Sequence, residues 1–191
     1  MPDSRNRQSA REASVKMAFC GMMAALSLVF MLTGGVIPIA TFAAPLFSGL
    51  LLLPVRVEFG RRAAWMTWLA AAALSILLGL DKEAAAFYFF VGWYPIIKWD
   101  LDQRVRGKTA RLLIKAAIFT AAVGAMYAVL LLIFGVETIL LEFREMGLWM
   151  SLLFAAMMIA SLLIYDRLIN PLLILYGQRL RPKLKSFLHT K

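Results

Sequence analysis

The segment that decides the fold is Met17–Val55, MAFCGMMAALSLVFMLTGGVIPIATFAAPLFSGLLLLPV, which contains no charged residue. A helix that crosses about 30 Å of hydrocarbon needs roughly 20 mostly apolar residues, so this segment is about twice the length of one crossing. Thr33, Gly34, Gly35 and Pro38 interrupt it near the middle, and glycine and proline are typical of turns. The segment therefore predicts two transmembrane helices joined by a tight turn.

Further uncharged runs follow along the chain, and these are Ala63–Leu80, Ala84–Ile97, Ala116–Val136 and Met146–Tyr165. The run Ala84–Ile97 is short, and runs of roughly ten to fourteen apolar residues also occur as re-entrant or buried segments. Lys82 and Lys98 extend it to a full span if their ammonium groups reach the two interfaces. The sequence thus predicts an all-α, polytopic membrane protein with six transmembrane helices.

The composition agrees with a membrane protein. Hydrophobic residues make up 62% of the 191 residues, charged residues only 17%, and the mean hydropathy is +0.77. Soluble domains hold roughly 45–50% apolar residues. Without a linker or a soluble module, the chain divides into an N-terminal tail (residues 1–16), one six-helix transmembrane domain (residues 17–176) and a basic C-terminal tail (residues 177–191).

The basic residues orient these helices. If all six segments span, nineteen of the 21 Lys and Arg residues fall on one side, in the two tails and in the 2–3 and 4–5 connections. Only Lys82 and Arg144 fall on the other side. Because cytoplasmic loops carry the excess of Lys and Arg, both termini are predicted to be cytoplasmic. The formal net charge of +10 is then explained by orientation and by contact with the lipid bilayer rather than by nucleic acid.

The residue inventory argues against several kinds of chemistry. The chain has one cysteine, Cys20, and one histidine, His189, so neither a disulfide nor a histidine-based metal or nucleophile site is expected. It has no P-loop sequence for ATP hydrolysis. Asp100 and Asp102 resemble a metal-binding pair of transferases, but two carboxylates are too few to hold a catalytic Mg²⁺. We therefore expect no enzymatic activity, no metal and no cofactor.

One cluster on the predicted outer side has the composition of a ligand pocket. Charged residues at the 3–4 turn lead directly into an aromatic helix, where rings stack on a flat ligand and charges fix its polar end. The candidate ligand-binding residues are Asp81, Lys82, Glu83, Tyr88, Trp93 and Tyr94. Alternatively, the charges cap a hairpin and the rings pack against neighbouring helices or lipid. Pro95 is expected to break the helix.

Other charged residues have simpler interpretations. Glu58, Arg61 and Arg62 are interpreted as a group of oppositely charged loop residues that pair at the inner surface. They are also interpreted as a docking site for a cytoplasmic partner. The segment Glu137–Glu145 is interpreted as a solvated outer loop, with a lid or a cation-binding role as the alternative. Asp166 and Arg167 are interpreted as an interfacial pair, with a proton-coupling role as the alternative. A bend is expected at Asn170 and Pro171.

The first helix carries small residues four positions apart, Gly21 and Ala25. Small residues let two membrane helices approach closely. The pair therefore predicts contact with another helix, either within this chain or in a partner subunit.

The chain resembles the substrate-binding S components of energy-coupling factor transporters in its length, its six helices, its inside termini and its lack of an ATPase motif. The stretches VEFGRRAAW (residues 57–65) and LSILLGLDKEAAAFYFFVGWYPIIK (residues 74–98) are also similar to uncharacterised membrane proteins of Firmicutes. In the S-component family, an Ala-x-x-x-Ala stripe on helix one contacts the transmembrane coupling subunit. Gly21 and Ala25 are the nearest match.

The resemblance implies a location in the plasma membrane of a bacterium, and it implies a function. The chain would be the vitamin-binding subunit of an uptake transporter, working with a transmembrane coupling subunit and two ATPase subunits. Asp81, Lys82 and Glu83 would lie in a ligand-facing loop, although no motif specifies the vitamin. Two alternatives remain: a cell-envelope scaffold resembling rod-shape membrane proteins, and a small membrane enzyme acting on lipid substrates.

Overall fold

The structure is a computed structural model that describes residues 3–36, 43–78, 82–105, 107–134 and 136–182. Within these ranges the chain is helical and forms no strand. The helices are α1 (Asp3–Val36), α2 (Ala43–Leu50), α3 (Leu52–Leu77), α4 (Lys82–Val91), α5 (Tyr94–Arg104), α6 (Lys108–Phe134) and α7 (Val136–Leu175), and the π-helix Tyr176–Leu180 follows α7. The all-α prediction is therefore confirmed.

Three of the described helices contain segments long and apolar enough to cross a membrane: Ser9–Thr33, Lys108–Val129 and Ala156–Leu180. The bent pair α2 and α3, at 53°, gives a fourth if it counts as one span. Most of each of the three segments remains exposed in the structure, although its side chains are apolar. Exposure of so much apolar surface is unfavourable in water and favourable in lipid, so the protein is membrane-associated.

Helix α1 begins at Asp3, so residues 3–16, which were expected to form a tail, continue the first helix. The expected 2–3 connection is helical too, apart from a sharp break at Gly60. Gly60 has φ 82° and ψ −178°, a conformation open to glycine and costly for other L-residues. The chain therefore changes direction at one residue instead of through a loop.

The expected outer loop Glu137–Glu145 is also helical, because α7 runs continuously for 40 residues. Its backbone forms a helix about 60 Å long, twice the hydrocarbon thickness of a bilayer. The expected bend at Pro171 does not end the helix, which continues to Leu175 and then widens into the π-helix.

The break in the aromatic segment falls at Gly92 and Trp93, just ahead of Pro95. Pro95 lies in the first turn of α5, where its missing N–H costs no helical hydrogen bond. A Cβ at Gly92 would lie 2.5 Å from the carbonyl oxygen of Tyr88 and 2.7 Å from its ring. Only glycine fits this approach.

The chain forms two compact units: residues 1–96 with 170–191, and residues 97–169. In the first, α3 supplies alanines that allow α1 and α4 to pack closely. One buried cluster holds Phe19, Leu52, Val55, Ala63, Ala64 and Ile96, and the other holds Ala24, Met31, Ala71, Ala72, Ala85 and Tyr88. Ser27 and Ser48 join α1 to α2: each hydroxyl donates to the other residue's carbonyl oxygen, at 3.3 and 2.7 Å.

Candidate functional site: a buried ion-pair cluster

The strongest polar site in the described residues is an ion-pair cluster in the second unit. Its four members are Lys98 and Asp102 on α5, Lys115 on α6 and Asp166 on α7. Lys98 and Asp102 are four residues apart on one helix and therefore share a face. Gly107, with φ 107°, forms the tight connection that starts α6 and brings Lys115 back towards α5. We call these four side chains the ion-pair cluster.

Each ammonium group in the ion-pair cluster contacts both carboxylates. Lys115 Nζ lies 2.6 Å from Oδ1 of Asp102 and 2.8 Å from Oδ2 of Asp166. Lys98 Nζ lies 2.5 Å from Oδ1 of Asp166 and 3.3 Å from Oδ2 of Asp102. The result is a closed arrangement of alternating charge that connects three helices.

The burial of these groups makes their pairing necessary. Lys98 and Lys115 side chains are 2% and 5% exposed, and that of Asp166 is 12% exposed. Removing a charged group from water costs several kcal/mol per ion, about as much as good pairing returns. We therefore expect the ion-pair cluster to contribute little net stability and to act by favouring one arrangement of the three helices.

One edge of the ion-pair cluster is more open than the rest. The Asp102 side chain is 24% exposed, and Arg111 lies beyond it with Nε 3.7 Å from Oδ1 of Asp102. Arg111 also donates from Nη2 to the carbonyl oxygen of Val105, at 3.1 Å. Three cations, Lys98, Lys115 and Arg111, thus converge on Asp102.

No protein-family model, curated protein or solved structure matches this chain. The geometry and chemistry of its own residues therefore carry the functional argument. Among the residues that the structure describes, no group of three or more His, Cys, Asp or Glu side chains is placed to hold a metal ion.

The residues predicted to bind a ligand are only partly brought together. Asp81 lies outside the described residues, and Lys82 and Glu83 are exposed at the start of α4. Tyr88 and Tyr94 are buried. Tyr88 packs among the alanines of α1, α3 and α4, which agrees with the packing alternative for this ring.

Trp93 is the partly accessible member of the predicted set. It stacks on Trp65 with ring centroids 6.0 Å apart and an interplanar angle of 22°. Trp65 in turn meets Trp68 edge to face at 5.3 Å, and Trp68 contacts Phe89 at 5.4 Å. The Trp68 indole donates to the carbonyl oxygen of Tyr88, at 3.4 Å. These rings form a continuous aromatic surface between α3 and α4.

The two small residues of the first helix are exposed. A Cβ added at Gly21 would meet nothing within 4 Å, and Ala25 is likewise uncovered. Within the first unit, the other described helices leave this face uncovered.

Glu58 contacts the C-terminal segment. Its Oε1 accepts from Arg181 Nε at 3.0 Å and from the Tyr176 hydroxyl at 3.4 Å. Arg61 and Arg62 are exposed beyond the Gly60 break. The predicted inner-surface cluster therefore includes a partner 123 residues away in sequence.

Sequence reasoning missed the ion-pair cluster. It placed Lys98 at an interface and paired Asp166 with its neighbour Arg167, whereas Lys98 is buried against Asp166 and Arg167 is exposed. One signal was available: Asp166 follows directly on an apolar run, and a carboxylate in a membrane segment needs a cation from another helix.

Proposed function

We propose that this chain is a six-span bacterial membrane protein with cytoplasmic termini that binds a small, vitamin-like solute as the S component of an uptake transporter. A separate coupling subunit and two ATPase subunits would supply the energy. The exposed apolar helices and the nineteen-to-two distribution of basic residues support the topology.

The observation that carries the transport proposal is the ion-pair cluster. Under the proposed topology, Lys98, Lys115 and Asp166 lie at the cytoplasmic ends of spans four, five and six. Ionisable groups that pair between membrane helices are typical of solute or ion pathways, which supports a transport function. Because the ion-pair cluster would hold the cytoplasmic ends of these three spans together, the solute would enter from the outer side.

Solute binding is assigned to the 3–4 turn on the outer side and to the aromatic surface of α3 and α4, which extends from Phe89 towards the inner ends of these helices at Trp65 and Trp93. Lys82 and Glu83 are exposed at that turn, and Trp93 is half-buried and stacks on Trp65. Reorientation by the ATP-driven subunits would break the ion-pair cluster and release the solute inward, which is a shift between two conformations of the same site.

The test is purification in mild detergent, followed by mass spectrometry of small molecules and of co-purifying subunits. We expect a bound solute, a coupling subunit and two ATPases. The solute should be reduced in Asp81→Ala and Lys82→Ala and retained in the control Arg104→Ala, an exposed change on α5. Recovery of cell-wall elongation proteins without any solute would overturn the proposal in favour of a scaffold.

A further inference from the structure

Three buried hydroxyl groups lie where α1 packs against α2 and α4 in the first unit. They belong to Ser27 of α1, Ser48 of α2 and Tyr88 of α4, and each of these residues is 0% exposed. Ser27 lies within the apolar segment Ser9–Thr33, and Tyr88 lies within the fourth predicted span. Hydroxyl groups at this depth reach neither bulk water nor lipid headgroups, so each needs a hydrogen-bond partner inside the protein.

The protons of the two serine hydroxyls are already used. Ser48 Oγ donates to the carbonyl oxygen of Ser27 at 2.7 Å. Ser27 Oγ lies 2.9 Å from the carbonyl oxygen of Met23 and 3.3 Å from that of Ser48, so its proton is shared between them. Because a hydroxyl has one proton and two lone pairs, both Oγ atoms can still accept a hydrogen bond. The serine pair therefore presents acceptors to its surroundings.

The Tyr88 hydroxyl is the unsatisfied member of the three. Tyr88 shares a buried cluster with Ala24 and Met31 of α1, and Ser27 lies between those two residues on the same helix face. The phenol accordingly lies beside the Ser27 side chain. Its oxygen is buried and has no hydrogen-bond partner among the residues that the structure describes. A phenol can donate and accept, and a buried hydroxyl without a partner is uncommon because it is costly.

We propose that Tyr88, Ser27 and Ser48 bind one water molecule, which accepts from the Tyr88 hydroxyl and donates to the two serine Oγ atoms. Buried waters typically make about three hydrogen bonds to groups that are otherwise unsatisfied, and these side chains offer one donor and two acceptors. A sodium ion is the poorer occupant, because it would bring a charge into an apolar core and leave the Tyr88 proton without an acceptor. The site needs only the packing of the first unit and does not depend on solute transport.

The bound water would act at the bend between α2 and α3. Ser48 lies in the last turn of α2, and its carbonyl oxygen also accepts from the N–H of Leu51 at 3.2 Å, where the chain turns by 53° into α3. Breaks in membrane helices are tolerated where ordered water or neighbouring side chains satisfy the polar groups beside them. A water held by Ser48, Ser27 and Tyr88 therefore joins this bend to α1 and α4.

The decisive measurement is an experimental density map of the full-length protein in nanodiscs, at a resolution that shows ordered water. We expect a peak about 2.7–3.0 Å from the Tyr88 hydroxyl oxygen and from both serine Oγ atoms. Absence of this peak would overturn the site, whether Tyr88 remains unpaired or donates directly to Ser27. A peak with the shorter distances and higher coordination number of a cation would overturn it as well.

The stability of Tyr88→Phe tests the same site independently. Loss of one hydrogen bond should lower the unfolding temperature by about 2–4 °C in a chain of this size. An unsatisfied phenol predicts the opposite sign, because its removal relieves the cost of burying a polar group. A rise in the unfolding temperature would therefore argue against a bound water.

A double-mutant cycle shows whether Ser27 shares this water with Tyr88. The effects of Ser27→Ala and Tyr88→Phe should be non-additive, because both variants act on the same hydrogen bonds. Ser75→Ala is the matched control, since Ser75 is also 0% exposed and donates to a carbonyl oxygen of its own helix, that of Ala72 at 2.8 Å. Its effect should add to that of Tyr88→Phe. Simple additivity of the Ser27 variant would remove Ser27 from the site and contradict the proposal.

Discussion

Lys115 on α6 lies with its ammonium group 3.0 and 2.8 Å from the two carboxylate oxygens of Asp166 on α7, and the two residues are 51 positions apart in sequence. A lysine so placed bridges both oxygens of one carboxylate while also holding Asp102. Asp166 is therefore shared by two buried cations, and its removal leaves both without their principal anion.

The first prediction concerns that removal. Asp166→Asn should destabilise the protein by about 3 kcal/mol, because Lys98 and Lys115 remain buried with only Asp102 to balance them. Thermal unfolding in detergent, followed by circular dichroism, measures the effect. Arg167→Gln is the control, since Arg167 is exposed and adjacent. Equal unfolding temperatures for the two variants would contradict the ion-pair cluster.

A second prediction separates specificity from stability. Replacing all four members of the ion-pair cluster by Met or Leu of similar volume should restore an unfolding temperature at or above that of the wild type, because buried ion pairs contribute little net stability. The same variant should no longer transport solute if the charges form a cytoplasmic closure. A variant as unstable as Asp166→Asn would show that the pairs themselves stabilise the fold.

The third prediction concerns Gly92. Gly92→Ala should cost about 1–3 kcal/mol, since the new methyl group would overlap the carbonyl oxygen and ring of Tyr88. Gly124→Ala is the matched control, because a Cβ there meets nothing within 4 Å and alanine favours helix. Unfolding midpoints of the two variants, measured side by side, should move in opposite directions.

The fourth prediction concerns the exposed stripe of α1. The double variant Gly21→Leu/Ala25→Leu should fold normally, because no described side chain covers these positions. If the proposed S-component function is correct, it should nevertheless fail to co-purify a coupling subunit, since bulky side chains prevent close helix approach. Met22→Leu, also exposed, serves as the control. Intact co-purification by the double variant would remove the stripe from the subunit contact.

A fifth prediction tests the Glu58 contact. Glu58→Gln weakens a charge-assisted hydrogen bond from Arg181, so the backbone of residues 176–182 should exchange hydrogen faster. Exchange followed by mass spectrometry reports this directly. Glu12→Gln, at an exposed position on α1, should leave exchange in that segment unchanged. Identical exchange in both variants would show that Glu58 does not hold the C-terminal segment.

The helical class and the long apolar segments were predictable, because hydropathy over about 20 residues reports burial in lipid directly. The structure of the connections between these segments was not predictable. Charges at residues 56–62 and 137–145 suggested loops, yet Glu, Arg, Leu and Met are good helix formers, and a helix continues past the hydrocarbon where nothing stops it. Gly60 is the exception, because its backbone conformation interrupts the helix.

The ion-pair cluster could not be predicted from the sequence either, and the reason is different. The i, i+4 spacing of Lys98 and Asp102 is visible in the sequence, but their approach to Lys115 and Asp166 depends on how α5, α6 and α7 pack. Local pattern specifies which face of a helix is polar and does not specify which distant residue meets it. Tyr88 illustrates the same limit, since an aromatic ring suits both a pocket and a core.

The break at Gly60 depends on the chirality of the residue at that position. A Cβ at this position would meet nothing within 4 Å, so there is ample room for a side chain, and only the torsion angles of φ 82° and ψ −178° exclude L-residues. Their mirror image is ordinary extended backbone. The direction of the chain at this point therefore depends on a residue that has no L-configured side chain.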